Sequence, residues 1–299
     1  MTVGMIGLGI MGSAMAANLA KAGHRVIGYD VLAPRRRAHA RAGGIAVRTA
    51  REVGERAAVV ITSLPSPAAL ADTAAALAGH AAATRIVVET STLPIAAKES
   101  ARRRLEAAGI TLLDCPLSGT GAQARERDIV VYASGPRAAY RRVARIMDGF
   151  ARGHYHVGPF GAGSKTKFVA NLLVAIHNVA AAEALVLAMK AGLDPATTLA
   201  VVADGAGSSR MLQVRGPMMV RGDYSKPTMK LDVWQKDMQI IAAFARQVGA
   251  PTPLFRTTAP LYAAAIAMGR RQQDTGAVCA VLEKMAKYRR GIRGSRGGK

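Results

Sequence analysis

The sequence predicts an α/β protein: a doubly wound parallel sheet in the N-terminal half, then an all-α C-terminal domain, with a long helix joining the two. Three observations predict it. In the first half, apolar and partly β-branched runs of strand length alternate with helical stretches, as a parallel sheet covered on both faces requires. Beyond Lys190 the apolar periodicity is helical and no strand pattern returns. Between them, from Gly161 to Lys190, apolar residues recur at helical spacing on almost every face, the pattern of a helix surrounded by protein. At ~1.5 Å per residue this stretch makes a rod of roughly 45 Å, long enough to be a spine between domains.

Taken in order, Thr2 to Ile6 reads as a short buried strand, followed by the turn Gly7, Leu8, Gly9, Ile10, Met11, Gly12 and a helix from Met11 to Ala22. The next strand, Arg25 to Tyr29, ends at Asp30. In this register the glycines have physical tasks: Gly7 allows the tight turn, Gly9 lets backbone approach a pyrophosphate, and Gly12 lets helix and strand pack closely. Strand, glycines, helix, strand and acid together predict a Rossmann dinucleotide site, with Asp30 accepting hydrogen bonds from the adenosine ribose. The carboxylate favours NAD because it would repel the 2′-phosphate of NADP. Arg35 to Arg37 keep NADP open, since one of them can reach that phosphate from the next helix; equally, all three can simply cover the helix surface.

Further strands are expected at Ala57 to Ile61, Arg85 to Val88 and Ile110 to Leu113. Two of them run into polar turns, TSLPSP and ETSTLP. Ligands in such sheets sit beyond the carboxyl ends of the strands, which places Leu64, Pro65, Ser91 and Thr92 along the cofactor cleft; each turn taken alone is also an ordinary helix start. The turn DCPLSGTGAQA offers N–H groups and hydroxyls from Ser118, Gly119 and Thr120 to a carboxylate. A strand at Ile129 to Ala133, a basic helix from Pro136 to Met147 and a strand at His154 to Val157 close a first domain of residues 1–160.

Lys167 and Asn171 stand four apart on the spine helix and project from one face. A cation and an amide leaving an apolar helix together are either a snorkelling lysine and a backbone-satisfied asparagine, or part of a site. Helices then follow near Pro195 to Ala203, Leu231 to Val248, Pro253 to Met268 and Thr275 to Lys287, giving a second domain over 161–287 whose alanine-rich helices suit a homodimer or homotetramer. Residues 288–299, YRRGIRGSRGGK, read as a basic disordered tail, a candidate for weak contact with nucleic acid or acidic surfaces.

With 299 residues, half of them hydrophobic, the chain is long enough for two cores. Asn171, His177, Asn178 and Glu183 interrupt its most apolar window, so a buried helix is expected there and not a membrane span. The opening MTVGMIGLGI has no basic leader, and two distant cysteines suggest no disulfide framework, which together point to a reducing cytoplasm. No metal site is expected: His154 and His156 share a strand face, but no adjacent cysteine or carboxylate completes a ligand set. The net charge of +22 reads mainly as solvated arginine faces that also draw anionic substrates toward a cleft.

These motifs resemble the β-hydroxyacid dehydrogenase family, the group of 3-hydroxyisobutyrate dehydrogenases and tartronate semialdehyde reductases. The resemblance covers nearly the whole chain and rests on GLGIMGSAMAANLAKAGHRVIGYD, SLP at Ser63, STLP at Ser91, DCPLSG at Asp114, GAGSKTKFVAN at Gly161 and the pair Lys236–Asp237. It implies hydride transfer between NAD(P) and a small anionic β-hydroxy acid or its semialdehyde, with Lys167 as general acid/base and Asn171 holding substrate. Ser118 and Gly119 would bind the carboxylate, Lys236 would line the same cleft, and the turns at Leu64 and Thr92 would meet the nicotinamide. An ordinary lysine, with a pKa near ~10.4, is a poor base at neutral pH; an apolar surround and a cationic nicotinamide would lower it. Three positions depart from the family pattern: Thr120 replaces a second glycine, Ala170 an asparagine, and Arg127 a small residue, which is expected to reshape the pocket or add a carboxylate contact. Imine-type reductases on the same scaffold usually replace the lysine, and nucleic-acid-reading relatives tend to lose it; this chain keeps it.

Overall fold

The structure, a computed structural model, describes residues 1–80 and 83–290. The chain divides into two compact units, the first ending at Ala170 and the second starting at Asn171, so the division falls inside the spine helix instead of at its start.

In the first unit, β1 (Thr2–Ile6), α1 (Ile10–Lys21), β2 (Arg25–Tyr29), α2 (Ala33–Arg41), β3 (Ile45–Ala46), α3 (Ala50–Arg56), β4 (Val59–Thr62), α4 (Pro67–His80), β5 (Ile86–Glu89), α5 (Ile95–Glu106) and β6 (Thr111–Asp114) alternate along the chain. Their strands form one parallel sheet in the order β3-β2-β1-β4-β5-β6, the Rossmann order. Alternate residues feed two cores: Val3, Met5, Val59, Ile61, Ile86 and Val88 on one face, Ile27, Val60, Val87 and Leu112 on the other. β4, β5 and β6 each run one residue past the apolar run that predicted them. The parallel ladder pairs Ile6 with Thr62, Thr62 with Glu89 and Glu89 with Asp114, so a polar last rung crosses the carboxyl edge of the sheet.

A smaller sheet follows: β7 (Leu117–Ser118) pairs antiparallel with β8 (Val130–Ala133), which pairs parallel with β9 (Gly153–His156). Between them run α6 (Gly121–Arg125) and α7 (Arg137–Asp148). α7 buries Ala139, Val143, Ile146 and Met147 and exposes Arg137, Arg141, Arg142 and Arg145, a solvated face as expected. A bridge from Asp114 to Ser134 ties the small sheet to the large one.

α8 (Ala162–Lys190) begins in the first unit and continues into the second. It is long and apolar enough to cross a membrane, with mean hydropathy 1.9 in its most apolar window, yet half of that window is buried within the protein. Its buried Asn178 donates to Tyr262 Oη at 3.1 Å and to the Thr275 carbonyl at 2.9 Å, partners that a lipid-facing helix would lack. The second unit adds α9 (Pro195–Asp204), α10 (Arg210–Arg221), α11 (Leu231–Gln247), α12 (Pro253–Ala265), a π turn at Ile266–Arg270, a 3-10 turn at Thr275–Ala277 and α13 (Val278–Met285). The helix expected over 253–268 continues past α12 into the π turn, and Gly269, at φ 78°, leaves helical geometry just beyond the expected end. At the start of the expected tail, Arg290 is held by the carbonyls of Val220 and Met219 and by Glu283; residues 291–299 lie outside the described residues.

Candidate active site

The glycine turn is built by close approach. A Cβ at Gly12 would lie 1.8 Å from the Gly7 carbonyl oxygen, and one at Gly7, itself at φ 91°, would lie 2.1 Å from the Ser63 carbonyl oxygen. Gly9 is different: a Cβ there would meet only the Arg35 guanidinium, at 3.8 Å, so the space over it is open. Gly9 caps α1 without any side-chain hydrogen bond, and no acidic residue lies in the first turn. The N–H groups of Ile10, Met11 and Gly12 therefore face that space at the positive end of a helix, a fit for a pyrophosphate.

Asp30 lies at the end of β2, almost fully buried. Its carboxylate accepts from Leu8 N at 2.8 Å and Leu32 N at 2.9 Å and pairs with Arg35 at 3.2 Å. The acid expected to hold a ribose thus also braces the glycine turn. Arg36 donates to the Asp30 carbonyl at 2.6 Å, with its guanidinium over the Tyr29 ring. Arg35 and Arg36 therefore both engage Asp30 and do not merely cover α2.

At the carboxyl edge of the sheet, Leu64 N donates to Ser91 Oγ at 2.7 Å, joining the turns after β4 and β5. Ser91 is held from beneath. Its N–H donates to Glu89 Oε1 at 2.9 Å, and its carbonyl accepts from Lys98 Nζ at 2.7 Å. Lys98, on α5, is fully buried and also contacts Glu89 Oε2 at 2.6 Å and Asp114 Oδ1 at 2.7 Å. Burial alone would lower its pKa, but the two carboxylates outweigh burial and raise it, so Lys98 is a fixed cation. Asp114 in turn accepts from Ser164 N and Ser164 Oγ, both at 2.8 Å, in the first turn of α8.

Ser118 and Gly119 follow Asp114 at the edge of the small sheet. Gly119, at φ 134°, has no room for a side chain: a Cβ would lie 2.6 Å from Ile129 Cγ2. Thr120 caps α6, donating its N–H to Gln123 Oε1 at 3.0 Å while its hydroxyl accepts from Gln123 N at 3.4 Å. Its polar groups are thus already engaged in a capping box, which explains a threonine where the family pattern has glycine. Arg127, expected to reshape the pocket or add a carboxylate contact, instead donates to the Asp148 carbonyl at 2.6 Å, at the end of α7. Its φ of 59° is the conformation that favours a small residue there.

On α8, Lys167 is 9% exposed, one turn beyond Ser164, and Asn171 is 5% exposed, one turn further. Asn171 Nδ2 donates to Asp237 Oδ2 at 3.0 Å, and Asp237 Oδ1 lies 3.8 Å from Lys236 Nζ. The amide is therefore oriented by a carboxylate, not by backbone. His154 lies 3.1 Å from Asp148, a carboxylate at the end of α7, and its other ring nitrogen is taken by Tyr140 Oη at 2.7 Å.

Comparison with known proteins matches this arrangement along its length. Residues 2–158 match the NAD-binding domain of 6-phosphogluconate dehydrogenase, and residues 161–282 the NAD-binding domain of NADP-dependent 3-hydroxyisobutyrate dehydrogenase. The chain is 32% identical to an L-threonate dehydrogenase from Cupriavidus necator, over 94% of this chain and 95% of that one. It is also 32% identical to the 2-hydroxy-3-oxopropionate reductase of Escherichia coli, over 97% and 99%. The chain belongs to the β-hydroxyacid dehydrogenase family. Among solved structures of the family, 3-hydroxyisobutyrate dehydrogenase from Mycobacterium tuberculosis superposes with a TM-score of 0.85 at 28% identity, over 94% of this chain and 98% of that one.

Family motifs pointed to Lys167, Asn171, Ser118 and Gly119, but not to Lys98, Glu89, Ser164 or Asp237 as working residues. A signal for the acids was present: IVVE and TLLD each end a buried strand in a carboxylate, and a buried carboxylate demands a cation. Nothing local identifies Lys98 as that cation.

Proposed function

We propose that Lys167 is the general acid/base of an NAD(P)-dependent dehydrogenase acting on a small β-hydroxy acid, 3-hydroxyisobutyrate-like, or on its semialdehyde. The observation that carries the reading is the pairing, one helical turn apart, of a nearly buried lysine with an asparagine that Asp237 holds in place. Bound NAD(P) supplies the hydride acceptor or donor. In oxidation, neutral Lys167 takes the proton of the substrate hydroxyl as the carbinol hydrogen leaves with its electron pair; in reduction, protonated Lys167 returns that proton to the alkoxide oxygen. Ser118 and Gly119 bind the substrate carboxylate, while Asn171 and Lys236 orient the substrate. Thr120 shapes that turn through its cap. Gly7, Leu8, Gly9, Ile10, Met11 and Gly12 hold the pyrophosphate, Asp30 the ribose, and Leu64, Pro65 and Thr92 line the nicotinamide end, with NAD preferred and NADP accepted. A cytoplasmic homodimer or homotetramer belongs to the same reading, supported by exposed apolar side chains in the second unit such as Leu187, Val201 and Leu254. An imine-type reductase is disfavoured by the retained lysine.

The test is a screen of 3-hydroxyisobutyrate, glycerate, serine, threonate and related acids with NAD and separately NADP, following reduced nicotinamide, alongside Lys167→Ala. The expected result is turnover with at least one acid and a loss of about 10³-fold or more in Lys167→Ala with cofactor affinity kept. An active alanine variant overturns the assignment of Lys167.

A further inference from the structure

Lys98 is a fully buried cation in the first unit, and the chemistry proposed above does not use it. Its ammonium donates to the Ser91 carbonyl and to Asp114 and forms an ion pair with Glu89 Oε2 at 2.6 Å. Two carboxylates about one ammonium leave an excess of negative charge where burial makes charge costly. The first turn of α8 comes to that charge. Ser164 donates both its N–H and its hydroxyl to Asp114, placing the positive end of a long helix on the surplus carboxylate. The approach is close and fixed: a Cβ at Gly163 would lie 2.3 Å from the Tyr132 carbonyl oxygen and 2.6 Å from that of Asp114. Lys167 follows one turn later on the same helix. The same cation holds Ser91, whose hydroxyl holds Leu64 N.

From this geometry we infer that Lys98, Asp114 and Ser164 form a positioning relay: one buried cation fixes both the turns after β4 and β5 and the first turn of the helix that carries Lys167. None of the three touches substrate. They act by setting where Lys167 stands and how its amine is surrounded. The inference rests on the proposed role of Lys167 for its kinetic consequence, but not for its structural one.

Lys98→Met strips two buried carboxylates of their cation and is expected to cost the fold itself, so Ser164→Ala carries the test. It removes one of the two bonds between α8 and Asp114 and keeps the backbone one. The comparison variant is Thr84→Ala, which cuts hydroxyl bonds to the Gly54 and Ala57 carbonyls, equally buried but away from this network. Two readouts are taken on the full-length protein. The first is the pH dependence of Lys167 acetylation by acetic anhydride, read on its peptide by mass spectrometry. The second is kcat and KM with the best acid from the screen. Ser164→Ala is expected to move the labelling midpoint of Lys167, displace the acidic limb of the kcat/KM profile for oxidation with it, and lower kcat about tenfold with KM for the cofactor within about twofold. Thr84→Ala is expected to change thermal stability alone. An unmoved Lys167 labelling curve in Ser164→Ala, or an equal shift in Thr84→Ala, overturns the relay. Should Lys167→Ala prove active, the general-base role fails, while the labelling curve still decides whether the relay sets Lys167.

Discussion

Two buried ion clusters, one in each unit, solve the same problem in opposite ways. In the second unit Asp274 is a closed account of charge: it pairs with Arg215 at 2.9 Å and accepts from Thr228 N, Thr228 Oγ1, Met229 N and Gly276 N between 2.6 and 3.2 Å. One carboxylate meets one guanidinium, and the remaining donors pin the chain entering α11 to the 3-10 turn. In the first unit Lys98 is shared by two carboxylates, and the imbalance is answered by the end of a helix. The balanced cluster fastens loops. The unbalanced one holds parts of the proposed site, and the difference teaches that buried charge marks function by what it recruits, not by being buried.

The sharpest way to break this comparison is to remove each centre. Asp274→Ala leaves Arg215 buried without its carboxylate and is expected to lower stability by about 3–5 kcal/mol. Its kcat per folded molecule should stay within about twofold of wild type, since no residue assigned to catalysis or binding bonds to Asp274. Denaturant unfolding and active-site-normalised kinetics check both. A kcat loss as large as that of Ser164→Ala would erase the distinction between the clusters.

The two clusters also differ in how much of them was legible beforehand. The sheet was, because period-two apolar runs and the glycine turn are local signals. The shared helical neighbourhood of Lys167 and Asn171 on α8 was, because the two stand four residues apart. α10 was not: Gly216 and Pro217, two residues unfavourable inside a helix, sit within RMLQVRGPMMVR, yet in the structure Gly216 packs so closely on Leu199 that a Cβ would lie 2.5 Å from its side chain. Neither cluster was legible, because Lys98 finds Asp114, and Arg215 finds Asp274, across other elements of the fold, and nothing in sequence spacing reports which buried charge meets which. Thr120 and Arg127 were read as pocket residues for a similar reason: the cap on α6 and the carbonyl at the end of α7 are visible only once those elements are placed.

A smaller effect sharpens the contrast through pH. Burial alone would raise the Asp274 pKa, but Arg215 and the N–H groups of Gly276 and Met229, with Thr228, outweigh it and hold the carboxyl below its ordinary 3.8. The folded value lies below the unfolded one, so this stability is complete above about pH 3.8 and is lost as pH falls through the folded value. Lys98 runs the other way: its folded value lies above the ordinary 10.5, so its contribution is complete below about pH 10.5 and is lost as pH rises through the folded value. The second unit should therefore fail first in acid. Trp234, the one tryptophan of the chain and buried in that unit, reports its unfolding by fluorescence. Asp274→Asn should flatten the acid limb and leave the alkaline limb, followed by hydrogen exchange in β4 and β5, where it was.

The smallest expected effect on stability, and the most telling for ligand choice, belongs to a third pair. Asp30 is buried but Arg35 is about half exposed, so their 3.2 Å contact lies at the protein surface and Arg35→Ala should change stability by less than about 1 kcal/mol. The same guanidinium is paired with the carboxylate proposed to hold the ribose, where it would offset the repulsion of Asp30 for a 2′-phosphate. On the proposed placement, NAD, which lacks that phosphate, would gain little from Arg35, whereas NADP would depend on it. Arg35→Ala is accordingly expected to reduce kcat/KM for NADP about tenfold more than for NAD, a cost of ~1.4 kcal/mol confined to one ligand. Binding titrations with the two cofactors separate this from catalysis. An equal loss with both would make Arg35 a brace for the glycine turn and leave Asp30 alone to choose the cofactor.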